Sequence, residues 1–420
     1  MLRKALALAV VAALPVAACI FWPQPAIAPT DGPPPADGIS PARVARGARV
    51  VALGDCMVCH TAAKGEPYAG GLALATPFGA IYSTNITPDP DTGIGRWSYA
   101  AFERALRHGV ARDGHLLYPA FPYTHYTQMT DDDIHAAYDY LMTRTPVKAE
   151  PPKNELIFPL GFRPLLAGWN LLFLRPGNRI AAQDQQVLTE RGKYLVNSLG
   201  HCASCHSGLN LIGGEKSPAF GGGTVDGWHA PSLLHLASAS VPWSQTDIVD
   251  YLRTGMSRAH GAAKGPMQPV VSHLAEVPAQ DVQAIAAYIM QIQVAGKLSE
   301  PARKLEKSAD ADQRQLGAVL FASACASCHG PGAPMTAVSR YPALKTSPAV
   351  LGQQPTNFLQ TVLHGVPLKN APVPIYMPAF ADMLSDQQIA SLAAYVRADL
   401  AQQPAWQHVA DQSKTIREGQ

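Results

Sequence analysis

The stretch Cys56-Met57-Val58-Cys59-His60 occurs in three versions along the chain. The second is Cys202-Ala203-Ser204-Cys205-His206, and the third is Cys325-Ala326-Ser327-Cys328-His329. The pattern C-x-x-C-H is the attachment signature of a c-type haem, in which both thiols bond to one porphyrin and the histidine reaches its iron. The chain has 7 Cys, and all but one lie in these motifs, which argues against coincidence. The sequence therefore predicts three covalently bound haem c groups.

Each motif supplies two kinds of predicted site residue. We expect thioether attachment at Cys56, Cys59, Cys202, Cys205, Cys325 and Cys328, and proximal iron ligation at His60, His206 and His329. A thioredoxin-like pair would need a βαβ context, and a zinc site would need paired C-x-x-C motifs or clustered histidines close together. The motifs lie more than a hundred residues apart, and each has its own histidine. Covalent haem is therefore favoured over structural zinc or disulfides.

Length and composition set the fold class. A chain of 420 residues is expected to form about three domains of roughly 100–200 residues each. The 33 basic and 31 acidic residues nearly balance, and no basic run indicates a nucleic-acid partner. The chain contains 37 prolines and 34 glycines, which is a high number of turn-forming residues, and strand-like alternation is scarce. We therefore predict an all-α fold of short helices joined by long loops.

The first 28 residues read as an export signal. Arg3 and Lys4 precede an apolar segment, 6–18, that is too short to span a bilayer as an ordinary helix. Two processing sites are open: a lipoprotein box ending at Cys19, which would acquire lipid, and an A-x-A peptidase site ending at Ala28. Either way we expect the mature protein on the periplasmic side of a bacterial inner membrane, and processing at the lipoprotein box would add a lipid anchor at Cys19.

The three motifs lie in three copies of one unit. A helix with an early glycine leads into each motif, and a helix with an Ala-Ala-Tyr segment closes each unit. The glycines are Gly47, Gly192 and Gly317, and the closing segments are 136–138, 286–288 and 393–395. Glycine in a helix indicates close approach of another backbone, so the two helices of each unit are predicted to cross. Thr130 and Ser385 are predicted N-caps of the closing helices.

The repeat sets the predicted domain limits. It resembles the class I cytochrome c fold and predicts three tandem domains at 40–148, 185–297 and 308–402. Residues 23–38 are Pro-rich and predicted to be a tether. The linker 149–184 is unusually apolar, with clusters such as Leu156-Ile157-Phe158. Two interpretations remain: the linker packs on the neighbouring haem domain, or it forms a patch that docks a partner subunit or the membrane surface.

A second axial ligand from the protein would occupy the remaining coordination position of each haem iron. Met377 in the third unit and Met267 in the second occupy loops where such a methionine is expected, with Met256 as a weaker candidate in the second unit, whereas Met383 is predicted to be a staple contact at a helix start. The first unit has Phe121 where a ligand methionine often sits, so His125 and Met129 both remain candidates. Thioether ligation raises the reduction potential. With His125 as ligand, the first haem would therefore have the lower potential.

The chain resembles the three-haem cytochrome c subunits of bacterial periplasmic dehydrogenases over nearly all of residues 40–400. Segments carrying the resemblance include Thr76-Pro77-Phe78-Gly79, 82–89, 118–123 and Gly227-Trp228-His229-Ala230-Pro231. The resemblance implies an electron-transfer subunit that has no catalytic residues of its own. It would take electrons from a catalytic dehydrogenase subunit and pass them to ubiquinone or a terminal oxidase.

Three kinds of partner occur in the family: quinoproteins that oxidise alcohols, flavoproteins that oxidise sugars or gluconate, and molybdenum hydroxylases with an iron–sulfur subunit. The Phe121–His125 loop, Leu141–Arg144 and Leu165–Trp169 look most like the molybdenum-hydroxylase branch.

Two other functions compete with this interpretation. A c-type haem peroxidase needs one open haem and an acid–base group, for which His108, His115 or His125 near the first motif would serve. A cytochrome subunit of a respiratory oxidase is the third interpretation, and no predicted transmembrane helix supports it.

Overall fold

A computed structural model describes residues 24–35, 38–177, 186–294, 310–330, 333, 344–368 and 375–419. The chain divides into two compact units, 1–201 and 202–420. Cys19 and most of the predicted export signal lie outside the described residues, as do parts of the linkers on either side of the second predicted domain.

The first unit is mainly helical. Its described helices are α1 (Pro41–Leu53), α2 (Cys56–Cys59), α3 (Tyr99–His108), α4 (Tyr123–Tyr126), α5 (Asp131–Met142), α6 (Leu165–Phe173) and α7 (Leu188–Tyr194), the last continuing as a π-helical turn over Leu195–Leu199. Its described strands, β1 (Ala73–Thr76), β2 (Gly79–Tyr82) and β3 (Glu155–Leu156), form one antiparallel sheet in that order.

The core of the first unit is the crossing of α1 and α5. A Cβ on Gly47 would overlap the carbonyl oxygen of Ala136 and lie 2.6 Å from the Cβ of Tyr140, so only glycine permits this approach. Ile134 and Ala136 are fully buried on the facing side of α5. The Thr130 side chain accepts a hydrogen bond from the Asp133 backbone N–H and caps this helix. The predicted crossing and the predicted cap are both confirmed here.

Some side chains of the apolar linker contact the first unit, and others are exposed to solvent. The Arg163 guanidinium donates to Leu116 O at 2.7 Å, and the Tyr123 hydroxyl donates to Asn170 Oδ1 at 2.7 Å. Yet no residue of α6 is buried, and Phe158 is 96% exposed. Part of the linker therefore packs on the first unit while other side chains remain in solvent, and docking of a partner subunit or the membrane surface stays a prediction.

The second unit is also mainly helical. Its described helices are α8 (Ala203–His206), α9 (Gln245–Thr254), α10 (Met267–Leu274), α11 (Ala279–Gln291), α12 (Ala311–Ala324), α13 (Ala326–His329), α14 (Pro348–Leu351), α15 (Thr356–His364), α16 (Asp386–Tyr395, with a π-helical turn to Leu400) and α17 (Val409–Arg417). Its described strands pair as three antiparallel hairpins: β4 (Gly223–Val225) with β5 (Trp228–Ala230), β6 (Met256–Ser257) with β7 (Gly261–Ala262), and β8 (Val366–Leu368) with β9 (Ile375–Met377).

Helices α12 and α16 repeat the crossing at Gly317. A Cβ there would overlap the carbonyl oxygen of Ser391 and lie 2.7 Å from the Cβ of Tyr395. Ser385 and Gln388 form a capping box at the start of α16, as the sequence predicts. The surrounding core contains Phe321, Leu359, Leu363, Ile389 and Val396. Each large apolar side chain buried in such a core contributes roughly 1.5–3 kcal/mol.

The fold differs from the predicted all-α class in its short strands. The strands of the described residues are two to four residues long. Strands of this length cannot display the alternation by which sequence analysis recognises a sheet. The division into two units also cuts the predicted second domain at Cys202, and the three domain limits stay predictions. In the described parts of the chain, no helix combines the length and hydropathy needed to cross a bilayer.

Candidate haem-attachment sites

Each C-x-x-C-H motif forms one helical turn. The backbone N–H of the histidine donates to the carbonyl of the first cysteine: His60 to Cys56 at 3.0 Å, His206 to Cys202 at 2.9 Å, and His329 to Cys325 at 2.8 Å. An i→i+4 bond of this kind places the first thiol and the imidazole on neighbouring positions of one helical face. The local geometry therefore suits two thioether bonds and one axial ligand to the same macrocycle.

The histidine rings of two motifs are oriented by backbone carbonyls. His60 Nδ1 lies 2.6 Å from Thr84 O, and His206 Nδ1 lies 2.7 Å from Pro231 O. Burial lowers the pKa of both imidazoles, so each ring is neutral at pH 7, with the proton on Nδ1 donated to the carbonyl. Nε2 is then the unprotonated nitrogen, which is the arrangement that a metal-ligating histidine requires.

The first thiol of each motif is at least partly buried, whereas Cys328 is exposed. Burial raises the pKa of Cys56 and of Cys202 to about 12, and that of Cys325 to about 11. The thiolate form is therefore disfavoured at these three positions at neutral pH. A thioether carries no charge and suits this environment, whereas a zinc site requires thiolate ligands. These residues thus fit covalent haem better than structural zinc.

One cavity brings together the predicted axial pair of the third motif. Its lining includes Cys325, His329 and Met377, and the rest is largely apolar, with Phe321, Val350 and Leu392 among the contacts. The empty space, including its open mouth, is ≈ 860 Å³. Met377 ends β9 and packs against the core of the third repeat. An apolar cavity with a histidine and a thioether in its wall is the donor set for a haem with two axial protein ligands.

Lys264 also lines this cavity, although it belongs to the second repeat. Burial lowers the pKa of its ammonium to about 8. Ala262 and Met256 of the same repeat pack with Val366 and Met377. Sequence analysis missed Lys264 because no local pattern marks it, and only the packing of β6 and β7 against β8 and β9 brings it there.

The predicted methionine ligands of the second motif lie on different elements. Met267 is the first residue of α10 and is half-buried. Met256, the weaker candidate, pairs with Ala262 in the β6–β7 hairpin and joins the cluster around Val366. Met383, which the sequence predicts to be a staple contact at the start of the closing helix, is 59% exposed. Ligation by Met267 stays a prediction.

The two candidates of the first motif are both buried. His125 lies in α4 with Nδ1 2.9 Å from Asn197 O, and Met129 is 3% exposed. The neighbouring Tyr126, which sequence analysis did not single out, donates its hydroxyl to Gly54 O at 2.8 Å beside the attachment helix. Burial raises the pKa of Tyr126 well above its usual value, so the hydroxyl stays a donor. The choice between His125 and Met129 stays open.

Comparison with known proteins gives consistent matches along the chain. Residues 44–145 and 189–293 each match the family model described as cytochrome c. Residues 312–396 match the model described as cytochrome C oxidase, cbb3-type, subunit III. Each matched segment contains one C-x-x-C-H motif.

Several relatives are similar over most of this chain. A nicotinate dehydrogenase subunit of Pseudomonas putida is 47% identical over 392 residues, which cover 92% of this chain but 33% of that protein. The gluconate 2-dehydrogenase cytochrome c subunit of Pantoea cypripedii is 38% identical over 387 residues, 86% of each chain. The cytochrome c subunit of the quinone alcohol dehydrogenase of Gluconacetobacter polyoxogenes is 37% identical over 380 residues, 85% of this chain and 80% of that one. The chain thus spans about a third of the first relative and most of the other two.

Proposed function

We propose that this chain, which belongs to the family of cytochrome c subunits of bacterial dehydrogenase complexes, holds three covalent haems in three tandem cytochrome c domains. It would carry electrons from a catalytic subunit to ubiquinone or another component of the respiratory chain. The observation that carries the proposal is the cavity in which His329 and Met377 meet beside Cys325. A haem held by two axial side chains has no open position for substrate, which favours electron transfer at the third motif, whereas the peroxidase alternative depends on the second axial ligand of the first motif.

The chain's own residues do three things in this proposal. The cysteines anchor each haem, and the carbonyls of Thr84 and Pro231 hold His60 and His206 in one tautomer. When bound, each haem supplies one-electron redox chemistry. Met267 and Met377 would be the second axial ligands of two haems, and His125 or Met129 that of the other. Near-infrared magnetic circular dichroism of the intact protein would distinguish bis-histidine from histidine–methionine ligation at the first haem.

A molybdenum hydroxylase is the partner we favour. Support comes from the identity of 47% with the nicotinate dehydrogenase subunit, against 38% and 37% for the gluconate and alcohol dehydrogenase subunits. Quinoprotein alcohol dehydrogenases and flavin-dependent sugar dehydrogenases are the alternatives within the family.

Purification of the complex from native membranes tests the proposal. We expect three haems per chain by alkaline pyridine haemochrome assay, and two per chain in a variant with Cys325→Ala and Cys328→Ala, because that variant lacks one pair of attachment thiols. We also expect a molybdopterin subunit and an iron–sulfur subunit to co-purify. A quinoprotein or flavoprotein partner would reject the molybdenum branch and keep the electron-transfer function. A high-spin haem in a chain that purifies alone would contradict both.

Membrane association is the second part of the proposal. Five apolar side chains of the linker are each more than half exposed: Ile157, Phe158, Phe162, Leu171 and Leu172. We define these five residues as the linker patch. Lys153 precedes these residues in the sequence and Arg175 follows them; both are exposed and would face anionic headgroups. An exposed apolar patch rimmed by polar residues marks an interaction surface.

The N-terminal segment reaches the same part of the first unit as the linker. Ile27 N donates to Arg112 O at 2.8 Å, and Arg163 donates to Leu116 O at 2.7 Å, so residues 112–116 hold both segments. Cys19 precedes Gln24 by a segment that spans at most about 18 Å when extended. A lipid on Cys19 would therefore lie within about 18 Å of Gln24, in the same unit as the linker patch. We propose that the patch contacts the bilayer surface beside this lipid, because one anchoring signal alone binds weakly.

Aspartate in the linker patch is expected to weaken membrane binding. Phe158→Asp should lower the affinity of the Cys19→Ser protein for phosphatidylglycerol-containing vesicles at least about tenfold, since a large buried side chain contributes roughly 1.5–3 kcal/mol. Sedimentation with the vesicles measures this. The matched control is Leu211→Asp, because Leu211 is equally exposed, at 97%, but lies outside the linker. Unchanged vesicle binding together with loss of the dehydrogenase subunit would instead assign the patch to the partner protein.

A further inference from the structure

The hairpin β4–β5 is held at its base by the second attachment helix. Gly222 N donates to His206 O at 2.7 Å, and Ser207 bridges to Gly222. His206 Nδ1 lies 2.7 Å from Pro231 O, immediately after β5. The proximal histidine of the second motif is thus connected by hydrogen bonds to the residue before β4 and the residue after β5, which together form the base of this hairpin.

The other end of the hairpin is held by α15 of the third repeat. The His229 backbone N–H donates to Asn357 Oδ1 at 2.8 Å, and Asn357 Nδ2 donates back to His229 O at 2.8 Å. Gln360 Nε2 donates to Gly227 O at 3.1 Å. A carboxamide that both accepts from and donates to one residue pairs with it as a neighbouring strand would, which fixes its orientation as well as its distance.

The same helix lines the cavity of the third motif. Phe358, Thr361 and Val362 of α15 contribute to its wall. The Thr361 hydroxyl donates to Asn357 O at 2.5 Å. The side chains that hold the hairpin and those that line the cavity therefore project from a single helix, and Gln360 is 7% exposed.

We infer that Asn357 and Gln360 form a clamp that sets the position of the second haem relative to the third and thereby the rate of electron transfer between them. The inference rests on the proposed function, in which both motifs carry haem. Electron tunnelling slows steeply with the separation of the two haem edges. A hairpin anchored on His206 at one end and on α15 at the other restricts that separation. Asn357 and Gln360 act as positioning residues, since neither belongs to an attachment motif.

Substitution of Asn357 tests the clamp in the intact protein. In Asn357→Ala, we expect the protection of the His229 amide against hydrogen exchange to fall about tenfold, because its acceptor is lost. Intramolecular electron transfer from the second haem to the third, followed by pulse radiolysis, should slow several-fold while both midpoint potentials stay unchanged. Asn357→Asp keeps an acceptor for His229 N and loses the donor to His229 O, so its effects should be intermediate. Gln387→Ala, at an exposed position of α16, is the matched control.

The outcomes separate the clamp from the proposed function. Unchanged exchange and an unchanged rate in Asn357→Ala would overturn the clamp even if every haem is present. Faster exchange with an unchanged rate would show that the contact is structural and does not control electron transfer. If the wild-type protein lacked the second or third haem, the proposed function would fail, and the exchange measurement would still decide whether the contact exists.

Discussion

Gly317→Ala is expected to destabilise the third repeat strongly. The new Cβ would overlap the carbonyl oxygen of Ser391 and lie 2.7 Å from the Cβ of Tyr395. These atoms belong to the backbone and the first side-chain carbon of α16, so no rotamer change can relieve the overlap. The two helices must separate, which opens a core containing Phe321 and Ile389. We expect a loss of about 3 kcal/mol or more in the free energy of unfolding.

Denaturant unfolding of the haem-loaded protein, followed by circular dichroism, measures the effect. Gly47→Ala should behave similarly in the first repeat, because its Cβ would overlap Ala136 O. Gly168→Ala is the matched control: Gly168 also lies inside a helix, but a Cβ there meets nothing within 4 Å. Its helix propensity alone predicts a gain of up to about 1 kcal/mol. Equal stability of the Gly317 and Gly168 variants would contradict the close crossing.

Met377→Leu is expected to change the electronic state of one haem and leave the fold intact. Leucine has a similar volume, so the cost in packing should stay below about 1.5 kcal/mol. It has no sulfur with which to ligate iron. One haem should therefore become high-spin in the ferric state, and its midpoint potential should fall by on the order of 100 mV, since axial ligands tune haem potentials over a wide range.

Potentiometric titration and the near-infrared thioether–iron band report both changes. Met383→Leu is the control, since Met383 lies a few residues further along and is 59% exposed. A variant at Met377 that keeps three low-spin haems and all three potentials would remove Met377 as a ligand. The same change appearing in Met383→Leu would assign the ligand there instead.

Local patterns predicted much of this molecule. The spacing of the cysteines and the histidine predicted a haem-attachment motif, because a single helical turn places these groups on a common face. The crossing glycines Gly47 and Gly317 and the caps at Thr130 and Ser385 were predicted for the same reason, since each depends on a few neighbouring residues. The short hairpins escaped prediction, because strands of two to four residues carry too little pattern.

Long-range contacts could not be predicted from the sequence. His229 and Asn357 are 128 residues apart along the chain, and Lys264 enters a cavity formed by the following repeat. Nothing in the sequence around Thr84 or Pro231 identifies their carbonyls as acceptors for His60 and His206, because a backbone carbonyl is the same in every residue. The sequence by itself identified the three C-x-x-C-H motifs and the cytochrome c family, since each motif is a local pattern, and it predicted haem attachment at those motifs. Only the tertiary structure decided which side chains face each other across a cavity and which repeats are held together, because those depend on distances between segments that no local pattern encodes.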